Sequence, residues 1–464
     1  MPIYNVSSSK DGDLQEKPRY VITSAVNATR VNAKFLSALE VYCQENDAQL
    51  LVIPLRYKNP TRRNENKDDD WYDKRIRPYL FSKRAEVAKG FMVMGDIKTQ
   101  PTAVRPLSGL DSLTGTMSGV FGHTKVAMDS IATRGHELPK LLYTTGAVTA
   151  PQFSDSKAGK KGEFHHSLGA VVVERDGDYF HARHLLAQGN GCFYDLDRFY
   201  TPDGSKKSKP IPALIAGDLH AERHDPDNLA ATFQKDDSIA ATLRPSRIVL
   251  HDALDFGSGS HHNNFFEKFK RHHEGRGCVR TELEQTYAVM DDIAKRTKEV
   301  VVVDSNHNNH FLQWLESDKN ANDYQNAQIF AETRAGILPE ILGKGWCDPF
   351  EWWARRLLKS YRKTRFMAPN ESYTVHGIEL GYHGDRGANG ARGSALGLSK
   401  IGAKTVIGHS HSPRIVDGCY QTGTSSLLDM GYNRGASSWL HSHVVIYPNG
   451  KRTHIHVIDG RWRG

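Results

Sequence analysis

The chain has no long apolar run. Its longest stretches, such as Val300-Val301-Val302-Val303, span a few residues, whereas a bilayer-crossing helix needs about 20. No membrane span and no membrane partner are expected. The start, Met1-Pro2-Ile3-Tyr4-Asn5, lacks the basic residues and apolar stretch of a secretory leader, so none is expected. Cysteine is sparse: Cys43, Cys192, Cys278, Cys347 and Cys419 lie far apart with no CxxC pair. An odd, scattered set argues against a disulfide framework or a cysteine zinc site and for a reducing compartment, the cytoplasm. No segment recurs at a fixed period, which argues against a repeat architecture.

What is present is a 464-residue chain, 38% apolar and 25% charged, with a formal charge of +8. That is enough apolar material for a sizeable core, and the length suggests two to three domains. A basic balance predisposes a protein to meet phosphate. The 23 histidines carry more information, because imidazole is the commonest metal ligand and the usual proton carrier near neutral pH.

The polar start, to about Pro18, is expected to be loose. Tyr20–Thr23 reads as a strand, Phe35, Leu36, Leu39 and Tyr42 fall at helical spacing, and Leu50–Pro54 reads as strand again. This alternation favours parallel pairing. Arg62–Asp73 is densely charged and reads as a surface loop. Further strands are expected at Phe91–Met94, Leu141–Thr145 and Leu168–Val173. Thr201–Pro210, rich in Pro, Gly, Ser and Lys, predicts a domain boundary. Residues 1–205 are then a separate N-terminal α/β domain, and 211–464 form a second domain. In the latter, strands are expected at Ala213–Ala216, Ile248–Leu250, Val300–Val303, Tyr373–Leu380 and Thr405–Ile407.

Each of these runs ends in residues that could ligate a metal. In order they are Asp218-Leu219-His220, His251-Asp252, Asn306-His307, His383-Gly384-Asp385 and His409-Ser410-His411. Function in open α/β sheets collects at such strand ends. Imidazole suits Zn, Fe and Ni, while carboxylate and amide oxygens suit Mn and Mg. The set exceeds the needs of one ion. Two ions about 3.5–4 Å apart, sharing one carboxylate, form a clamp for phosphate-ester displacement.

The ordered blocks Asp-x-His, Asp, Asn-His, His and Gly-His-x-His resemble the calcineurin-like metallophosphoesterase superfamily over roughly 210–464. The resemblance implies an α/β two-sheet sandwich flanked by helices. It assigns Asp218, His220 and His411 to one metal, Asn306, His383 and His409 to the other, and Asp252 to the bridge. His307 is then no ligand but the group that protonates the leaving oxygen or steadies the transition state. The stretches His383–Gly393, Ile407–Pro413 and Gly435–Leu440 resemble a phage branch that includes early DNases degrading host DNA. The implied activity is phosphodiester hydrolysis of DNA in the bacterial host cytoplasm, with two divalent ions, manganese first. A homo-oligomer is expected. A phosphatase or small-nucleotide phosphodiesterase, or a catalytically weak DNA-binding protein, are the alternatives.

Two departures stand out. His251 precedes Asp252 where the family has Gly, and Asn308 stands where it has an acid beside the catalytic histidine. Asn308 can orient but brings no charge, so either His307 is a weaker acid–base group than usual or another carboxylate such as Asp304 assists it. His376-Gly377 competes with His383-Gly384; the Gly-Asp-Arg-Gly loop favours His383. His251 reads as a supporting donor. His165, His166, His181, His184, His261, His262, His272 and His273 read as surface residues. Arg386 and Arg392, in the glycine-rich loop, suit phosphate oxygens. Arg355, Arg356, Lys359, Arg362, Lys363 and Arg365, interleaved with Trp352, Trp353, Tyr361 and Phe366, read equally as a solvated helix face or as a nucleic-acid surface. Lys268–Arg280 forms a second basic segment.

Overall fold

The computed structural model describes residues 13–57, 71–134, 137–260 and 263–464. Most of the charged segment 62–73, and His261 and His262, lie outside them.

A six-stranded sheet carries the C-terminal half. Its order is Thr364–Phe366, Glu299–Val302, Arg247–Leu250, Ala213–Ile215, Ser442–Ile446 and Arg452–His456. The first four strands are mutually parallel, and the last two are antiparallel. Parallel strands are covered on both faces, which is why they read as unbroken apolar runs. Leu214, Ile248, Leu250, Val300 and Val302 pack under helices Val279–Ala294, Asn306–Glu316 and Pro349–Leu357. Ala213, Ile215, Val249 and Val301 face a second sheet, in a core shared with Val93, Val120, Val406 and Tyr420. The result is a layered α/β sandwich.

The second sheet has ten strands. Five come from the C-terminal half, from Thr374–Val375 to Cys419–Gln421, and five from the N-terminal half, from Arg84–Ala88 to Lys140–Thr144. The halves join where Met128–Ile131 pairs antiparallel with Arg414–Val416. A four-stranded sheet, ordered Ala48–Leu55, Arg19–Val26, Gly169–Asp176 and Tyr179–Leu186, contributes Ile22, Ile53 and Val171 to the same shared core. Its other face packs on helix Ala33–Glu45. The α/β alternation expected at the N-terminus and its parallel pairing are present.

The expected separation of the halves is not. One sheet and one core run through both, so the N-terminal half is not an independent unit. The composition break at Thr201–Pro210 is instead a hairpin, Arg198–Thr201 with Gly204–Lys207; its Pro, Gly and Lys serve a tight turn and an exposed edge. The expected strand Tyr373–Leu380 is also two short strands, Thr374–Val375 and Ile378–Glu379, folded back at His376-Gly377, where both residues have positive φ.

Candidate metal centre

The parallel strands deliver their polar ends to one place. Asp218 and His220 follow Ala213–Ile215, and Asp252 follows Arg247–Leu250. Asn306 and His307 open helix Asn306–Glu316, whose N-cap is Ser305. His383 follows Ile378–Glu379 in the second sheet, and His409 and His411 follow Lys404–Ile407.

These side chains converge. His411 Nε2 lies 3.2 Å from Asp218 Oδ2 and 3.1 Å from His220 Nε2. His220 Nε2 is 3.7 Å from Asp252 Oδ2, and His383 Nε2 is 3.1 Å from the same oxygen. The His409 ring stands 5.2 Å from the His383 ring, edge-on. Asp218, His220, Asp252 and His411 form one buried group whose ligand atoms could hold a metal ion. Among the described residues, Asp218 Oδ1, Asp252 Oδ1 and Asn306 Oδ1 are buried acceptors without a hydrogen-bond donor. Buried oxygens are rarely left so. Unpartnered oxygens gathered beside imidazole nitrogens fit a cation.

The local backbone is bent to achieve this. His220, Asp252, His409 and His411 have φ of 42°, 42°, 75° and 58°. Non-glycine residues enter that left-handed region at a cost of about 1–2 kcal/mol each, and such strain concentrates at functional sites. Gly408 is needed for close approach: a Cβ there would sit 2.1 Å from Asp218 Oδ1.

The field in the pocket favours positive charge. Burial works against protonating His383, yet Asp252 and Asp218 push its pKa up to about 9. Burial works against ionising Asp252, but His383 and His307 hold it well below the usual carboxylate range. His251, fully buried behind His383, is pushed down to about 4 by burial and stays neutral. Its Nδ1 is 3.4 Å from His383 Nδ1.

The sequence was 33% identical over 474 residues to Protein A1 of Escherichia phage T5, across 98% of this chain and 84% of that protein. The chain belongs to the family of this phage protein. No protein-family model matches it.

Six of the seven residues expected to ligate metal, Asp218, His220, Asp252, His383, His409 and His411, are therefore neighbours, and His307, next in the chain to Asn306, adjoins them with its ring 4.6 Å from that of His220. His383 is buried at the centre, whereas His376 is exposed on the hairpin turn. Asp255 was not singled out from the sequence. Its Oδ1 lies 2.8 Å from His220 Nδ1 and 3.5 Å from His307 Nδ1, and its carbonyl oxygen is 2.9 Å from His307 Nδ1. A carboxylate only accepts, so His220 carries its proton on Nδ1 and offers Nε2 to the centre. The acid beside His307 is Asp255, which holds the ring chiefly through its backbone carbonyl, and not Asp304. Asp304 instead faces Arg386 at 3.7 Å. Asn308 is turned inward, where its Oδ1 accepts from Leu254 N at 3.3 Å. The signal available was Asp252-Ala253-Leu254-Asp255, a second acid three residues past the first.

Arg386 and Arg392 form a backbone bridge on an exposed loop. Beside His307 a cleft of about 840 Å³ is lined by Arg223, Lys270, Arg271, Arg276, Tyr432 and Arg434. Trp439 closes another side, its ring 4.1 Å from that of His411. Ser437, two residues earlier, exchanges both backbone hydrogen bonds with Thr133 of the N-terminal half.

The basic run at 355–365 sits elsewhere. Thr364 pairs with Val300 at the start of Glu299–Val302, the end remote from Asn306. Trp352 and Trp353 are buried, Arg355 pairs with Glu340 at 2.8 Å, and Arg356 stacks 3.3 Å from the Trp352 ring centroid. His181 and His184 are likewise buried rather than on the surface. No helix among the described residues is long and apolar enough to cross a membrane.

Proposed function

We propose that the protein is a metal-dependent phosphodiesterase of the metallophosphoesterase type that hydrolyses DNA in the infected bacterial cell. The observation that carries this reading is the convergence of Asp218, His220, Asp252, His383, His409 and His411, with buried, donorless oxygens on Asp218 and Asp252. Asp218, His220 and His411 would hold one divalent ion, and Asn306, His383 and His409 a second, with Asp252 between them. Mixed nitrogen and oxygen donors suit manganese. Bound ions of this kind activate water and neutralise charge on phosphorus in transit.

The chain's own groups do the rest. Asp255 holds His307 through Nδ1, leaving Nε2 to give a proton to the departing sugar oxygen. Arg386 and Arg392 on the rim offer guanidinium forks to phosphate oxygens. Asn264, Glu267, Lys270 and Arg271, from helix Phe265–His273 and its N-cap, line the cleft. The same helix exposes Phe265, Phe266 and Phe269 at 75, 77 and 65%. Exposed aromatics beside the exposed Lys268 and Lys270 suit stacking of bases with capture of phosphates. This favours a nucleic acid over a small phosphate ester.

The test is incubation of plasmid and single-stranded DNA with the protein and Mn²⁺, with and without chelator. The expected result is cleavage that chelation abolishes. Intact DNA under every metal tried would refute the reading.

A further inference from the structure

We infer that residues 19–186 are a second, degenerate copy of the strand framework that carries the candidate site, so that the chain is an internal pseudo-dimer with one metal centre. Strand pairing shows the copy first. In the N-terminal half Arg19–Val26 pairs parallel with Ala48–Leu55 and antiparallel with Gly169–Asp176, which pairs antiparallel with Tyr179–Leu186. In the C-terminal half Ala213–Ile215 makes the same sequence of pairings with Arg247–Leu250, Ser442–Ile446 and Arg452–His456. The ten-stranded sheet repeats too. From each outer edge inward its pairings run antiparallel, parallel, parallel, antiparallel.

The registers agree residue by residue. Ile22 pairs with Leu51 and Val171, as Ile215 pairs with Val249 and Val444. Val120 pairs with Tyr143, as Val406 pairs with Tyr420. Met128 pairs with Tyr143 and Ile415 with Tyr420, and Met128 and Ile415 pair with each other. Equivalent residues meet in this way only at a two-fold axis. A buried detail is duplicated as well. His184 Nε2 lies 2.8 Å from Thr144 O with its ring 5.4 Å from Tyr143, and His454 Nε2 lies 2.8 Å from Gln421 O with its ring 5.4 Å from Tyr420.

The site did not survive in the first copy. Counting on from the matched pairs, Ala25 and Asn27 stand at the positions of Asp218 and His220, Pro54 at that of Asp252, and Lys125 at that of His411. His123 matches His409, but both its nitrogens are engaged: Nδ1 accepts from Lys125 N at 2.9 Å, and Nε2 is 3.0 Å from Gln100 O. Lys125 donates to Asp417 across the junction of the halves. Among the described residues, every group of side chains able to hold an ion lies in the C-terminal half. The first copy thus serves as the built-in partner that extends the sheet.

The single-centre part rests on the proposed metal site; the duplication does not. An experimental structure of the full chain with Mn²⁺ tests both. Residues 19–186 are superposed on 213–456, and anomalous scattering locates manganese. The nine paired strands of each half should overlay after a rotation of roughly 180°, with manganese beside Asp252 and none beside His123. Strands that share no common rotation would overturn the duplication, and manganese at His123 would overturn the loss of the first site. Manganese in neither half would refute the metal reading, while the superposition still decides the duplication.

Discussion

Asp255 Oδ1 lies 2.8 Å from Nδ1 of His220, and through that contact fixes which nitrogen of the imidazole faces the centre. Such outer carboxylates commonly contribute about 10–100-fold to metal affinity or activity. The hold of Asp255 on His307 is through its backbone carbonyl, which a side-chain change leaves in place, so the effect runs through His220. Asp255→Asn should therefore weaken Mn²⁺ binding and slow hydrolysis by about that factor. Calorimetric titration with Mn²⁺ beside a DNA cleavage assay checks it; unchanged values for both would remove Asp255 from the site.

Gly408→Ala should act on the metal rather than on the fold. The added Cβ would sit 2.1 Å from Asp218 Oδ1, so the carboxylate must move. The expected outcome is loss of bound metal and of activity with a nearly native melting temperature. Full metal content would show that Asp218 tolerates the shift.

Replacing Phe265, Phe266 and Phe269 together with Ala should weaken single-stranded DNA binding, since stacking contributes about 1–3 kcal/mol per base. Hydrolysis of a small phosphate diester should be unaffected. Replacing Arg355 and Arg356, which are paired and stacked away from the centre, should leave DNA binding unchanged. The opposite pattern, measured by fluorescence anisotropy, would move the DNA surface to the other end of the sheet.

The buried histidines predict acid lability. Burial pushes His184 down to about 4 and His454 to about 3, against about 6.5 when unfolded. The unfolded chain therefore takes up protons first as pH falls. The stability held above pH 6.5 is lost on the way to pH 4 and below, by up to about 1.4 kcal/mol per pH unit for each histidine. Thermal unfolding between pH 7.5 and 4.5 should show this fall, and His184→Gln, which can still donate to Thr144 O, should flatten it. A melting temperature independent of pH in the wild type would contradict the assignment.

How much of this was legible in the sequence follows from which contacts are local. Val300–Val303 reads as a buried strand because parallel strands lose the polar alternation, and the polar cluster after each such run marks the site. Asp255 stayed hidden because its partners, His220 and His307, are brought to it only by folding. The basic run at 355–365 stayed open between a solvated face and a nucleic-acid surface, because the sequence does not show that Trp352 and Trp353, just before its arginines, turn into the core. The duplication left few traces: Gly122-His123 beside Gly408-His409, and Tyr143 and Gly146 beside Tyr420 and Gly423. Strand register preserves it where side chains have diverged, and the Ile131–Lys140 connection is longer than Val416–Cys419, which breaks any fixed period.

The central claim is that a metal held at Asp252 drives hydrolysis. The direct measurement is metal content and Mn²⁺-dependent plasmid cleavage for the wild type and Asp252→Asn side by side. The wild type should bind manganese and cut, and the variant should keep its fold, lose metal and leave the plasmid intact. A variant that retains its metal and cuts at the wild-type rate would contradict the account.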